Sequence, residues 1–519
     1  MALFAGAFCF GMVVFPHLAF ADELMKSDAS SAASTIKSVS DGFDADALSI
    51  KLDTYLDSNV GRTHEPGVAV AVVTTQGVAY MRTFGTCESA SDSFYIGSLS
   101  KSMCAVAIMQ LVEQGKIDLD APASDYAPEY LISPEVSVRM LLNQTSGFGY
   151  YESLSEATVG DSFGEFSYAN ANYDLLGRIV EDVSGESYSA YMAKHVFAPL
   201  NMVDSSAQGL RTNDVLGEFD SNSFGGMSDD DPDEASTYSE SRDVLGHRNY
   251  FGRFIQDDFQ HSENDDAWGG PSSGYVSSSI RDMANYLQMY LCGGKNVLDH
   301  DSVMQMFMSR VPDPDGDSYY GMGWTSYSND GELVFCHDGD VETNVASMAI
   351  LPDRGIGVVV LGDGYDSVAG NSLFFELASG VLDVAMGDDA PDLDEAEYDE
   401  LHAETNAEWA RFWAICALPL LFVPVWCGVA RSLVRKAGKT VVLAAAIADA
   451  AVFASVFARA IDFPRDMGMP WRDVSTFDPS IAIGLYTGLG LFSAAAVARV
   501  IAAIVIACRS RKRWSHASE

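Results

Sequence analysis

Three apolar stretches crowd the end of this 519-residue chain, at about Phe412 to Ala430, Thr440 to Ile461 and Ser480 to Ala507. Each is near or above the roughly 20 residues a helix needs to cross a bilayer, so all three are expected as membrane spans. Arg431, Arg435, Lys436 and Lys439 separate the first two, and Arg509, Arg511, Lys512 and Arg513 come after the third. The positive-inside rule puts both basic segments in the cytoplasm. An odd number of crossings then leaves residues 22 to 407 outside the cell. Gly484 and Gly488 form a small-xxx-small pair suited to close helix packing. Asp449, with Arg459 near the other end of the second span, reads as a structural or pairing residue and not as a transport path.

The opposite end of the chain agrees with that topology. Residues 2 to 21 form an apolar run closing on Ala19-Phe20-Ala21 before Asp22 and Glu23, a small-x-small pattern that suits a secretory signal over residues 1–21. It has no basic flank, which leaves open a start further upstream or an uncleaved anchor. Either places the downstream domain outside the cytoplasm.

The charge is divided as sharply as the hydropathy. From residue 408 on there are 13 Lys and Arg against 7 Asp and Glu, whereas the whole chain carries 31 against 73, a net charge of −42. The part before the spans is therefore intensely acidic, which argues against nucleic acid or an anionic membrane surface as its partner. Cys9, Cys416, Cys427 and Cys508 fall in apolar segments, leaving Cys87, Cys104, Cys292 and Cys336 for the exported part. Four cysteines in so large a domain do not make a disulfide framework, and buried free thiols are expected. No Cys/His cluster has metal-ligand spacing, and no cofactor is implied.

Between the two apolar ends, Asp44 to Ser58 reads as an amphipathic helix. Gly67 to Thr74 and Val78 to Gly85 read as a hairpin turned by Thr75-Gln76-Gly77. A long helical and loop-rich middle comes next, with acidic excursions at Ser228 to Glu234 and Asp313 to Asp317; the latter does not fit a Ca²⁺ loop. Strands then return at Glu332 to His337, Val345 to Leu351 and Val358 to Gly362, and a helix from Ser372 to Ala385 closes the unit. Strands at both ends with helices between imply one antiparallel sheet assembled from the two halves of the domain, with an inserted helical region, an α/β (α+β) fold. This domain spans residues 41–387, an acidic linker occupies 388–407, and the membrane region is 408–519.

Three motifs on that framework carry chemistry. In Ser98-Leu99-Ser100-Lys101 a strand-like run gives way to a helix, so serine and lysine point the same way and the amine can take the hydroxyl proton or hold its charge. Unpaired amides at the helix start lie beside the hydroxyl. Tyr168-Ala169-Asn170 puts a phenol and an amide on one side of an extended segment; a phenolate beside a lysine ammonium has a lowered pKa and can act as general base, then acid. In His337-Asp338-Gly339, on the first returning strand, the glycine lets a substrate backbone approach closely. The N–H of Asp340 can pair with that of Ser98 as an oxyanion hole.

In this order the motifs resemble the serine β-lactamase and penicillin-binding protein superfamily, specifically its class C-like branch. The resemblance covers roughly residues 45 to 385 and extends to Phe94–Lys101, Glu113–Ala121, the Val138–Leu142 stretch with Thr145-Ser146-Gly147, and Tyr320–Trp324. It implies Ser98 as acylated nucleophile, Lys101 as its proton partner, Tyr168 as the base that activates Ser98 and later water, and Asn170, His337 and Gly339 as substrate-binding residues. Two positions depart from the pattern. His337 stands where β-lactamases carry lysine, and a mostly neutral imidazole donating a directed hydrogen bond replaces a permanent cation for the substrate carboxylate. Gln144 stands where the family often has histidine; the change is expected to touch loop packing and not chemistry, and Gln144 is given no role. The resemblance thus implies a membrane-anchored, extracytoplasmic serine hydrolase of the D-alanyl peptidase or esterase type, acting on a small-molecule or peptide substrate. The alternative is a penicillin- or peptide-binding sensor that acylates without turnover.

Overall fold

A computed structural model describes residues 44–207, 210–212, 246–257, 259, 261, 267–314, 316–329, 331–466 and 471–515. The leader expected over residues 1–21 and the excursion at Ser228 to Glu234 lie outside the described residues. The chain divides into two compact units. The first reaches to Arg248 and takes in Phe254–Asp366 and Gly370–Glu395, and the second is built on Ala396–Glu519 with two short segments, Asn249–Arg253 and Ser367–Ala369.

The first unit opens with helix α1 (Ala45–Asn59), whose Asp44 cap accepts from the Ala47 amide at 3.0 Å and whose Leu48, Leu52, Tyr55 and Leu56 are buried at helical spacing. Strands β1 (Gly67–Thr74) and β2 (Gly77–Gly85) form the expected hairpin. Five strands return later: β3 (Val311–Pro312), β4 (Tyr319–Gly321), β5 (Trp324–Asn329), β6 (Glu332–Val341) and β7 (Asn344–Leu351), with β8 (Ile356–Gly362) completing one antiparallel sheet in the order β2-β1-β8-β7-β6-β5-β4-β3. The expectation of three returning strands therefore missed the three that precede Glu332. Their residues, such as Trp-Thr-Ser-Tyr-Ser-Asn in β5, are short or polar runs that lack a clear apolar alternation.

Strand β1 is buried at every position, which requires cover on both sheet faces. Helix Ile280–Leu291 supplies one, where a Cβ on Gly357 would meet Val73 and Leu287; helix Ser372–Met386 supplies the other, where a Cβ on Gly362 would meet Phe374. Ala69, Ala71 and Val73 face the larger core. At the centre of that core runs helix α2 (Ser100–Glu113), every residue of which from Ser100 to Leu111 is buried. A helix enclosed all round reads as apolar throughout, which is why its sequence shows no polar stripe.

The segment after the last helix is not a free spacer at its start. Leu393 N donates to Asn59 Oδ1 at 2.8 Å and the Leu393 carbonyl accepts from Arg62 at 2.6 Å, and a helix begins at Ala396. Cys87, Cys104, Cys292 and Cys336 are free thiols; Cys292 is exposed, against the expectation of burial.

In the second unit three helical stretches, Ala396–Lys436, Thr440–Arg459 and Pro479–Arg509, are long and apolar enough to cross a membrane. The first is interrupted at Phe422, between helices Ala396–Leu421 and Val423–Ala437. Gly484 and Gly488 pack where a Cβ would overlap the rings of Trp409 and Phe412, so this pair does seat one helix against another. Asp449 pairs with Arg499, at 3.0 and 3.1 Å, and not with Arg459; Arg499 also donates to the Pro419 carbonyl at 3.3 Å.

Candidate active site

Ser98 stands in a tight turn, Gly97–Leu99, wedged between a short strand, Ser93–Tyr95, and α2. The Ser100 hydroxyl stitches that turn by donating to Gly97 O at 2.7 Å and accepting from Val276 N at 3.1 Å. Gly97 has φ +55°, and a Cβ there would lie 2.5 Å from the Asp340 nitrogen; a Cβ on Gly339 would lie 2.4 Å from Ile96 O and 2.7 Å from Ser98 N. The backbones of the serine turn and β6 therefore touch with no room for a side chain. Ser98 and Asp340, whose amides are the expected oxyanion donors, are brought side by side by that contact.

Lys101 is fully buried in the first turn of α2. Its Nζ donates to Ser98 Oγ at 2.9 Å, to Asn170 Oδ1 at 2.8 Å and to the Ser273 carbonyl at 2.5 Å. Burial drives its pKa down, opposed by the charges of Asp174 and Asp340, so the amine is more readily neutral than an exposed lysine. Tyr168 donates from its hydroxyl to Ser98 Oγ at 2.8 Å. The hydroxyl of half-buried Ser98 is thus held by both groups.

Two expectations are corrected here. The segment 168–170 is not wholly extended: Asn170 opens helix Asn170–Ser184, and Tyr168 reaches the site from the strand-like residues ahead of it. Nor is the phenol acidified. Burial and the neighbouring Tyr320 raise its pKa well above the ordinary value, outweighing the Ser98 hydrogen bond, and Lys101 Nζ lies over the ring, 4.7 Å from its centroid.

His337 is buried on β6. Its Nδ1 lies 2.6 Å from the Asp338 carbonyl, which can only accept, so Nδ1 carries the proton and Nε2 faces the Tyr320 hydroxyl at 3.4 Å. Burial, with Lys101 adding, pushes its pKa down to about 3, so the ring is neutral. The hydrogen bond that sequence reasoning gave to a substrate is already made to the chain. Past Cys336, the last residue paired with β5, the β6 edge opposite β7 is open, and this is where the serine turn sits.

Three contributors were not marked as site residues in the sequence. Gln144, at φ +58°, accepts through Oε1 from Ala169 N at 3.0 Å and from Asn172 Nδ2 at 2.5 Å, which fixes the Tyr168 segment. Asp174, one turn beyond Asn170, has its carboxyl raised by burial and lies close enough for Lys101 to oppose that shift. The Ser273 carbonyl belongs to a loop with no motif. Only Gln144 left a sequence signal, as a departure from the family pattern.

A helix-flanked antiparallel sheet with this Ser-Lys-Tyr arrangement at its edge defines a β-lactamase/transpeptidase-like fold. The Beta-lactamase family profile matches residues 52–371, and the chain belongs to that family. It is 23% identical over 347 residues to Protein flp of Staphylococcus aureus, covering 60% of this chain and 62% of that protein, so it spans less than two thirds of that relative's length. Among solved structures it resembles the octameric penicillin-binding protein homologue from Pyrococcus abyssi, with TM-score 0.52 and 24% identity over 67% of this chain and 80% of that one. It also resembles D-amino acid amidase from Ochrobactrum anthropi, with TM-score 0.50 and 20% identity over 66% and 99%. Family and fold thus place it in the Beta-lactamase family, with a fold shared by the penicillin-binding protein homologue.

Proposed function

We propose that this protein is a membrane-anchored hydrolase whose catalytic domain faces the outside of the cell and cleaves peptide-like amides or esters through an acyl-enzyme on Ser98. The observation that carries this reading is the convergence of the Lys101 amine, at 2.9 Å, and the Tyr168 hydroxyl, at 2.8 Å, on Ser98 Oγ. In its neutral form Lys101 takes the serine proton as Oγ bonds to the substrate carbonyl carbon. The oxyanion so formed is met by the Ser98 and Asp340 amides. Collapse breaks the bond to the amine or alcohol, which leaves with the proton that Lys101 took from the serine, and water then adds to the acyl ester, releasing the acid and returning a proton to Ser98 Oγ. Asn170, by accepting from Nζ, holds the lysine on the serine; His337 and Gly339 border the substrate. The three apolar helices with their basic flanks support anchoring with the catalytic unit outside.

The test is intact-mass labelling of the full-length protein in detergent with a neutral fluorophosphonate and with a penicillin, beside a panel of nitrophenyl esters, amino acid anilides and D-alanyl peptides. Ser98→Ala should abolish labelling and turnover together. Undiminished labelling of Ser98→Ala would overturn the nucleophile assignment, and a permanent adduct without turnover of any substrate would make the protein a sensor.

A further inference from the structure

We propose that the site selects substrates that carry an ammonium group and no carboxylate beside the scissile bond, with Asp340 receiving the positive end; this rests on the hydrolase reading above. A carboxylate-bearing substrate needs a cation or a spare donor where it lies along β6, and Lys101 and His337, the candidates among the described residues there, offer neither. Lys101 is enclosed and already donates to Ser98, Asn170 and Ser273. The single N–H of neutral His337 is engaged by the Asp338 carbonyl.

What β6 and its turn present instead is negative. Asp338, Asp340 and Glu342 alternate along it. The outer two are occupied: Asp338 accepts from Ser347 Oγ at 2.6 Å, and buried Glu342 accepts from the Tyr275 hydroxyl at 3.1 Å. Asp340, between them, is solvent-exposed, and its backbone abuts Gly97, the neighbour of Ser98. Its amide is the expected oxyanion donor, so a substrate carbonyl seated on Ser98 lies against the residue that bears this carboxylate.

Aromatic rings continue the same preference at the rim. Tyr150 packs on Tyr151 and Trp268 at 4.8 and 5.6 Å between centroids and on Tyr168 at 6.3 Å, and Trp268 is fixed by donating to Tyr150 O at 2.7 Å. Such faces attract an ammonium and cover an apolar side chain. The net charge of −42 steers cations toward the whole molecule. An amino acid amide or ester with a free amine and an apolar or aromatic side chain meets all of these features.

The experiment measures how well three compounds slow labelling of Ser98 by a neutral fluorophosphonate in the full-length protein, so that binding is read whether or not a compound is cleaved. They are phenylalanine amide, N-acetylphenylalanine amide and N-acetylphenylalanylalanine, each as both enantiomers, at about pH 6.5, where the free amine is charged. Phenylalanine amide should protect at about a fivefold lower concentration than its acetylated form, and the carboxylate compound should protect least. High salt should compress the series. In Asp340→Asn the ratio of cationic to anionic protection should fall toward one, whatever the absolute rates. Equal protection by all three, or best protection by the carboxylate, would overturn the inference while leaving the hydrolase reading intact. A wild-type preference unchanged in Asp340→Asn would overturn the role of Asp340. Failure of Ser98 to label at all would overturn the hydrolase reading and this inference with it.

Discussion

Lys101 meets Tyr168 through the face of the phenol ring, with Nζ 4.7 Å from the centroid, while both residues hydrogen-bond the same serine oxygen. An ammonium over a π face is stabilised without drawing the hydroxyl proton off. Burial shifts the two groups in opposite directions, amine down and phenol up, and both shifts favour the neutral form.

The division of labour between them is measurable. Lys101→Ala should slow acylation by about a thousandfold, within the range for loss of a general base, and Tyr168→Phe by about tenfold, read as the rate of fluorophosphonate labelling. A Tyr168→Phe defect as deep as that of Lys101→Ala would return the base role to the phenol. The wild-type rate should climb with pH as Lys101 loses its proton and level off well below the ordinary lysine range near 10.4.

His337 ties stability to acidity. Unfolded, the imidazole takes a proton near its usual pKa of about 6.5; folded, it resists until about 3. The unfolded state therefore binds more protons between those values, and the native state loses stability as pH falls from 6.5 toward 3. From pH 7 to pH 5 the loss should be about 2 kcal/mol. His337→Gln should remove that share, seen as a urea midpoint less sensitive to pH; equal sensitivity in both proteins would refute the assignment.

Gln144 is a lever on the nucleophile through the segment that carries Tyr168. Gln144→Ala strands the Ala169 amide and the Asn172 side chain. The variant should lose about 2 kcal/mol of stability and label about tenfold more slowly at saturating probe. Wild-type labelling kinetics in the variant would show that Tyr168 is positioned by other contacts.

How much of this was legible in the residues depends on what each signal rests on. Ser98, Lys101, Tyr168, Asn170 and Gly339 sit in short motifs, so spacing alone marks them, and the hydrophobic runs of β1, β7 and β8 mark the buried centre of the sheet. Motif spacing says nothing about which face of a ring meets an amine, so the direction of the Tyr168 shift was misread. Asp174 and the Ser273 carbonyl reach Lys101 only through tertiary packing. Strands β3 to β5 have edge-like, polar sequences whose pairing is set by their neighbours.

In the second unit, Asp449→Leu alone should lower the thermal midpoint in detergent by leaving Arg499 without its carboxylate, at a cost of about 3 kcal/mol. The double variant Asp449→Leu with Arg499→Leu should recover most of that loss. A double variant no more stable than either single one would show that the pair is not coupled.

The hairpin that opens the sheet finds its partner late: Gly67 N donates to Asp363 Oδ1 at 2.6 Å across 296 residues of sequence, and β1 lies in register with β8 along its length. A contact of that span forms only once almost the whole domain has emerged. The sheet that backs the serine turn is therefore closed late, when the last strand clasps the first.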